Sequence, residues 1–280
     1  MSFELKKDVP IRIGELFSYI QTYIPHLSKA ASIDLLSYLT GIDRSMVLTK
    51  LNELILTNEK TINSVALAKN GYPISYLRKK HDFFGYELYV DENVLIPRVE
   101  TETLVESVLN SVDRGKQYKI LDLCTGSGCI LIALLKELEN SIGYGVDLSY
   151  AALKVAGKNI YDLGLNDRAY LINGDVLKVD TFINDKFDVI AMNPPYINRM
   201  DDYCEFIKYE PDMALFVDGD DTFFYKNMLF ILDKLCKKDG LIFFEIGSGQ
   251  AERLAELYFE KNIEFIEDYF GNKRVMIWKN

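Results

Sequence analysis

The chain is poor in the residues from which metal centres, disulfide frameworks and basic grooves are built. Four cysteines, Cys124, Cys129, Cys204 and Cys236, are scattered through 280 residues without CxxC spacing. That pattern excludes the usual zinc sites and a stapled scaffold, and predicts free thiols in a reducing compartment with no bound metal. Only two histidines occur, His26 and His81, and neither stands in a motif, so both read as surface or packing residues. No apolar run reaches the roughly 18 residues of a membrane-spanning helix. The charged opening stretch lacks the apolar segment of a signal peptide, so a cytoplasmic location is expected. Lys and Arg number 32 against 42 Asp and Glu, a formal charge of −10. Proteins that grip nucleic acid by its phosphates present a basic face. Here the one tight basic cluster is Arg78-Lys79-Lys80, which disfavours DNA or RNA as the main substrate.

What is present falls into three stretches: residues 1–80, a connecting segment 81–100, and residues 101–280. In the first, Ile13, Phe17, Ile20 and Ile24 keep helical spacing up to Pro25. A second helix is predicted from Ser32 to Gly41, a third capped by Asp43 with Val47, Leu48, Leu51 and Leu54 on one face, and a fourth over 58–69. This is a small helical bundle whose roles are packing, shaping the approach to a site, or docking a partner. Segment 81–100 predicts a hairpin of Phe83–Val90 with Val94–Ile96 around Asp91-Glu92-Asn93. A helix with an acidic first turn is predicted from Glu100 to Leu109.

From residue 101 strands and helices alternate, which predicts an α/β fold with a mostly parallel sheet covered on both faces. Seven strands are predicted, near residues 119–123, 142–147, 169–173, 187–192, 241–246, 263–267 and 274–278. The link from Asp268 to Lys273 is too short for a crossover, so the last two strands should form an antiparallel hairpin.

Asp122-Leu123-Cys124-Thr125-Gly126-Ser127-Gly128 follows the first of these strands and opens a helix. Glycine lets a ligand lie against the backbone. Asp147 ends the next strand, where a carboxylate can take both ribose hydroxyls of a nucleoside. Asp175 follows the third strand and is placed to accept from an adenine amino group, though either acid also suits an ordinary strand end. A dinucleotide turn wants a small residue where Leu131 stands, and a P-loop wants Gly-Lys-Ser/Thr, which is absent. A nucleoside without phosphates is the remaining reading, and S-adenosyl-L-methionine fits it.

Asn193-Pro194-Pro195-Tyr196 closes the apolar run 187–192. Consecutive prolines remove N–H donors and stiffen the loop, leaving its carbonyls free to accept. Asn193 adds a side-chain acceptor, and Tyr196 adds a ring able to stack on a planar group. The stretch reads as a receptor for a planar NH₂, both protons held by Asn193 and the Pro194 carbonyl; the plain alternative is a proline turn after a strand.

These residues resemble the release factor glutamine methyltransferase family over almost the whole chain. The likeness is carried by Pro73 to Leu77, Val94-Leu95-Ile96-Pro97-Arg98 with Glu100-Thr101-Glu102, the glycine turn, Gly145 to Ser149, Asn193 to Tyr196, and Glu210-Pro211 with Ala214-Leu215. It implies the Rossmann-like sheet of class I S-adenosylmethionine-dependent methyltransferases and methylation of the glutamine N5 in the Gly-Gly-Gln loop of peptide-chain release factors. S-adenosyl-L-homocysteine would be the product, and the helical domain would help bind the factor. It further implies that Cys124 to Gly128, Asp147 and Asn193 contact the cofactor, that Val176 stands where an adenine-side aromatic is often found, and that Asn193 to Tyr196 hold the glutamine amide. Cys124 in place of glycine, Val99 in place of proline and the aliphatic Val176 depart from the pattern. Asn-Pro-Pro-Tyr alone is shared with methyltransferases of adenine N6 and guanine N2, which leaves a nucleic-acid base as the alternative substrate.

Overall fold

A computed structural model describes residues 5–200 and 205–280, so Cys204 lies outside the described residues. Two compact units are formed, one from residues up to 80 with 205–209, the other from 81 to 204 with 210–280.

The first unit packs helices Ile13–Tyr23, Lys29–Thr40 and Glu59–Lys69 around Ile13, Leu16, Ile20, Leu35, Leu36 and Val65. The second of these begins before Ser32: the Ser28 hydroxyl accepts from the Ala31 N–H at 3.1 Å, an ordinary serine cap. The helix expected after Asp43 is replaced by a single turn, Val47–Lys50, and a short strand, Leu54–Leu56, antiparallel to Pro10–Arg12. The reason lies in the first helix. Its leading N–H groups have no partner within the helix, and Leu51 and Glu53 carbonyls take those of Gly14 and Ile13 at 2.9 and 3.0 Å.

In the second unit the hairpin is tighter and earlier than predicted. Strands His81–Phe83 and Tyr86–Leu88 pair across Phe84-Gly85, both with positive φ. A phenylalanine rarely takes that conformation, but Glu102 accepts the Phe84 N–H at 2.7 Å. Asp91 instead closes a local turn by accepting from the Asn93 N–H, and the chain leaves it extended.

The sheet has the seven expected strands: β1 (Lys119–Leu123), β2 (Ile142–Asp147), β3 (Ala169–Asn173), β4 (Phe187–Met192), β5 (Cys236–Glu245), β6 (Asn262–Glu267) and β7 (Lys273–Lys279). Their order is β6-β7-β5-β4-β1-β2-β3, and only β7 runs antiparallel to its neighbours. Period-two alternation divides the side chains between two cores. Ile120, Val189, Ala191, Phe243 and Ile277 meet helices α1 (Val99–Ser111), α2 (Cys129–Glu137) and α3 (Tyr150–Asp162). Leu121, Leu123, Ile190, Met192, Phe244 and Trp278 meet α4 (Phe223–Leu235) and α5 (Ala251–Leu257).

One polar side chain ties the connecting segment to the glycine turn. Asn159 of α3 is buried; its Oδ1 accepts from the Tyr89 N–H at 2.7 Å, and its Nδ2 donates to the carbonyls of Tyr89 and Ser127 at 3.0 and 2.9 Å. Each buried backbone group left without a partner costs on the order of 1–3 kcal/mol. Asn159→Ala is therefore expected to lower stability by roughly 3 kcal/mol, most of the sum of these losses after local relaxation. Urea unfolding checks this; an unchanged midpoint would refute it.

Candidate active site

Register alone collects the site. Val146, Leu123, Met192 and Phe244 stand side by side on β2, β1, β4 and β5. The next residue on each strand, Asp147, Cys124, Asn193 and Glu245, therefore forms a row at the carboxyl edge, where ligands of open parallel sheets lie. The alternation that turns Ala191 and Phe243 toward α1 turns Asn193 and Glu245 the same way. Thr101, in the first turn of α1, meets them there.

At the β1 end the backbone takes left-handed conformations at Cys124, Gly126 and Gly128, with φ of 59°, 55° and 81°. A Cβ on Gly128 would stand 3.3 Å from both Ala156 Cβ and Ile132 Cδ1, so glycine is needed there for space as well as conformation. At Cys124 the side chain is accommodated with backbone strain that a glycine would not carry. The Gly126 N–H donates to Asp147 Oδ2 at 2.9 Å, and Ser149 N–H to Oδ1 at 2.8 Å. Burial nevertheless pushes the Asp147 carboxyl upward against these bonds.

A cavity of about 430 Å³ opens against this edge. Its walls include Cys124, Thr125, Gly126, Ser127, Asp147, Asp175, Val176, Asn193 and Pro195. The remaining predicted residues do not line it. Asp122 and Gly128 lie beneath the turn, Pro194 is buried, and the Tyr196 ring is turned so that its hydroxyl donates to Glu245 Oε1 at 3.1 Å. Asp175 caps the turn after β3, accepting from the Leu177 N–H at 3.0 Å.

Sequence reading left out the opposite wall. Glu92 to Leu95, Pro97, Thr101, Pro211, Met213 and Phe224 belong to the enclosure as well. Glu210 holds its two segments together: Oε2 accepts from the Ile96 N–H at 3.0 Å and Oε1 from Arg98 Nη2 at 2.6 Å. No local spacing announces a bond across that much chain. A glutamate directly before a proline, with an arginine in the partner segment, is the only trace of it in the sequence.

The chemistry available is narrow. Carboxylates of Glu92, Asp147 and Asp175 line the cavity, and no Lys, Arg or His does among the described residues. A phosphate would find no counter-charge; a nucleoside carrying a positive centre would. Burial pushes the Cys129 thiol up to about 12 and the Cys124 thiol upward as well, so neither is a thiolate nucleophile. Asn193 Nδ2 donates to Thr101 Oγ1 at 3.4 Å. Among the described residues nothing donates to Asn193 Oδ1 or to the Pro194 carbonyl. Two neutral oxygen acceptors thus lie on consecutive residues after β4, and Asn193 of the pair lines the cavity.

Beneath the turn, Asp122 is fully buried, with Oδ2 accepting from the Thr125 hydroxyl and Oδ1 without a partner among the described residues. Burial raises its carboxyl to about 7, opposed by that hydroxyl. Between about pH 4 and 7 the unfolded chain has lost this proton while the folded chain keeps it, so stability falls as pH rises through that window and then levels. Relative to Asp122→Asn, the wild type should lose up to about 4 kcal/mol across it, at about 1.4 kcal/mol per unit. Chemical unfolding of both proteins from pH 4 to 8 measures this, and parallel curves would exclude it.

The model of the methyltransferase small domain matches residues 99–209. A release factor glutamine methyltransferase of Bacillus subtilis is 35% identical over 281 aligned residues, covering 94% of this chain and 96% of that one. Its counterpart in Clostridium acetobutylicum is 34% identical, covering 87% and 88%. Among solved structures, the catalytic domain of hMettl16 in complex with MAT2A 3'UTR hairpin 6 superposes with a TM-score of 0.54 at 15% identity, covering 81% of this chain and 84% of that one. A human methyltransferase 10 domain containing protein gives 0.50 at 17%, covering 70% and 90%. At such identities the structures speak for the fold alone. Sequence identity of this extent over nearly the full length, on a methyltransferase sheet whose carboxyl edge carries the glycine turn, Asp147 and the Asn193 acceptors, makes the chain a member of the release factor glutamine methyltransferase family.

Proposed function

We propose that this enzyme methylates the glutamine N5 in the Gly-Gly-Gln loop of a peptide-chain release factor, using S-adenosyl-L-methionine. The observation that carries the reading is Asn193, whose Oδ1 is unengaged among the described residues and which lines a cavity of about 430 Å³ together with three carboxylates; the Pro194 carbonyl, next in the chain, accepts from no described donor. When bound, the cofactor supplies an electrophilic methyl group and leaves as S-adenosyl-L-homocysteine.

The cradle suits such a molecule. Asp147 oxygens, each using one lone pair on the backbone, keep another for the ribose hydroxyls. Gly126 and Ser127 would present backbone to the amino-acid end, and Asp175 with Val176 would hold the base.

A primary amide nitrogen is a weak nucleophile because its lone pair is delocalised into the carbonyl. Asn193 and Pro194 would hold its two protons, fix its direction and draw electron density back onto nitrogen. No general base is needed, since the nitrogen becomes acidic once the new C–N bond exists and solvent can take the proton. The Tyr196 ring, tied by its hydroxyl to Glu245, lies outside the cavity lining and would act on the flat amide only from behind Asn193 and Pro195. The helical unit formed by residues up to 80 is proposed to help dock the factor.

Asn193→Ala should lower turnover by at least roughly 10²-fold, as loss of one preorganised polar contact does elsewhere. Mass spectrometry of the Gly-Gly-Gln peptide after incubation with labelled cofactor checks this, and wild-type turnover would refute it. Asp147→Ala should weaken cofactor binding more than factor binding in calorimetry; equal affinity for the cofactor would contradict its role. Label transferred to DNA or RNA and not to the factor would establish the base-directed alternative.

A further inference from the structure

Asn193 can receive an NH₂ group only in one of the two orientations of its own amide. Turned over, it would present Nδ2 to the substrate nitrogen, donor against donor. The structure has Nδ2 on Thr101 Oγ1 at 3.4 Å. A hydroxyl can accept there while its own proton goes elsewhere, and it has an acceptor to send it to.

Glu245 closes β5 with its side chain fully buried. Its Oε1 accepts from the Tyr196 hydroxyl at 3.1 Å, while Oε2 has no hydrogen bond of ordinary geometry. The other hydroxyl acting on this carboxylate is that of Thr101, with Arg274 as a nearby positive charge and Glu100 as a negative one. An unsatisfied buried carboxylate oxygen is the strongest acceptor within reach and draws the hydroxyl proton toward itself. Burial keeps the Tyr196 phenol protonated, so it has a proton to donate to Glu245.

We propose that Thr101 and Glu245 are positioning residues: Glu245 orders the Thr101 hydroxyl and the Tyr196 ring, and Thr101 in turn locks the Asn193 amide with Oδ1 toward the substrate. This rests on the glutamine-amide reading of the site. The carboxylate touches neither substrate nor cofactor and acts through its two hydroxyl partners. Its place is set by register, because Phe244 opposite Met192 makes Glu245 the neighbour of Asn193.

Glu245→Gln keeps the shape but offers an NH₂ to Thr101. With the new amide oxygen held by the Tyr196 hydroxyl, the Thr101 proton turns to Asn193 and favours the inverted amide. The expected result is a fall in kcat of roughly 10² with factor KM changed little, as for loss of a preorganised polar contact. Thr101→Val should lower kcat about tenfold or more, and Thr101→Ser should restore it, since serine keeps the hydroxyl that a general packing role does not require. Cofactor affinity by calorimetry should be unchanged in Glu245→Gln, whose side chain does not line the cavity, and is read on that variant. If Asn193→Ala is inactive while Thr101→Val and Glu245→Gln turn over like wild type, the relay is refuted and the glutamine reading survives. If Asn193→Ala itself keeps full turnover, the reading beneath it has failed. Loss of cofactor affinity in parallel with kcat, or failure of Thr101→Ser to restore Thr101→Val, would also refute the relay. Should Glu245→Gln not fold, the valine and serine pair decides.

Discussion

Parallel strand register is the constraint on which the site depends. Backbone hydrogen bonds lock β2, β1, β4 and β5 so that Val146, Leu123, Met192 and Phe244 stand level. A slip of one residue on any strand would send its next side chain to the opposite face of the sheet. Packing in both cores resists that slip, since it would move each buried side chain into the core shaped for its neighbour. The positions of Asp147, Asn193 and Glu245 are thus held by hydrophobic packing many residues away from them. The geometry of the edge that lines the cavity is therefore decided by the core.

The same edge gathers acid without gathering base. Asp122, Asp147 and Glu245 are all pushed upward by burial. What holds them is local and mostly neutral: a threonine hydroxyl under Asp122, backbone N–H groups around Asp147, and a phenol on Glu245. Arg274 is committed to Asp268 and to the Ile246 carbonyl, and so lends Glu245 only long-range attraction. Such an edge is a standing cost to the folded chain, and it suits a ligand bringing positive charge with it. Stability withheld at a site and available for binding is a common arrangement in enzymes.

The opposite wall of the cavity has another basis. Segment 94–97 carries no regular structure and 211–214 enters a single helical turn, Asp212–Leu215; Glu210, directly before it, holds the first segment through the Ile96 N–H and the Arg98 guanidinium. Its carboxylate is nearly enclosed, so each bond is worth more than an exposed ion pair would be. Asn159 does similar work between Tyr89 and the glycine turn. Irregular backbone next to a ligand site is tied down here by single polar side chains, where a sheet would use a ladder.

Much of the fold was legible in the residues. Short runs with strand formers marked all seven strands, and those buried on both faces, such as β1 and β4, left the densest signal, while the edge strands β3 and β6 are only partly buried. The brevity of the 268–273 link was enough to require an antiparallel hairpin. Cys124 to Ser127, Asp147 and Asn193 could be read because each follows a strand directly, and strand ends in such sheets face the ligand. The helix expected after Asp43 and the hairpin around Asp91 were misread because distant partners decided them: Gly14 and Ile13 claimed the Leu51 and Glu53 carbonyls, and Glu102 stabilised Phe84 at positive φ. Tyr196 was recognised as part of the loop, but the direction of its hydroxyl depends on Glu245, far along the chain. By itself the sequence determined the order of elements, the strand ends and the kinds of side chain at the site, all of which are local and periodic. Tertiary structure alone decided the row across β2, β1, β4 and β5, the wall held by Glu210 and the meeting of Thr101, Asn193 and Glu245, because pairing between distant strands and hydrogen bonds across the fold leave no periodic mark on the chain.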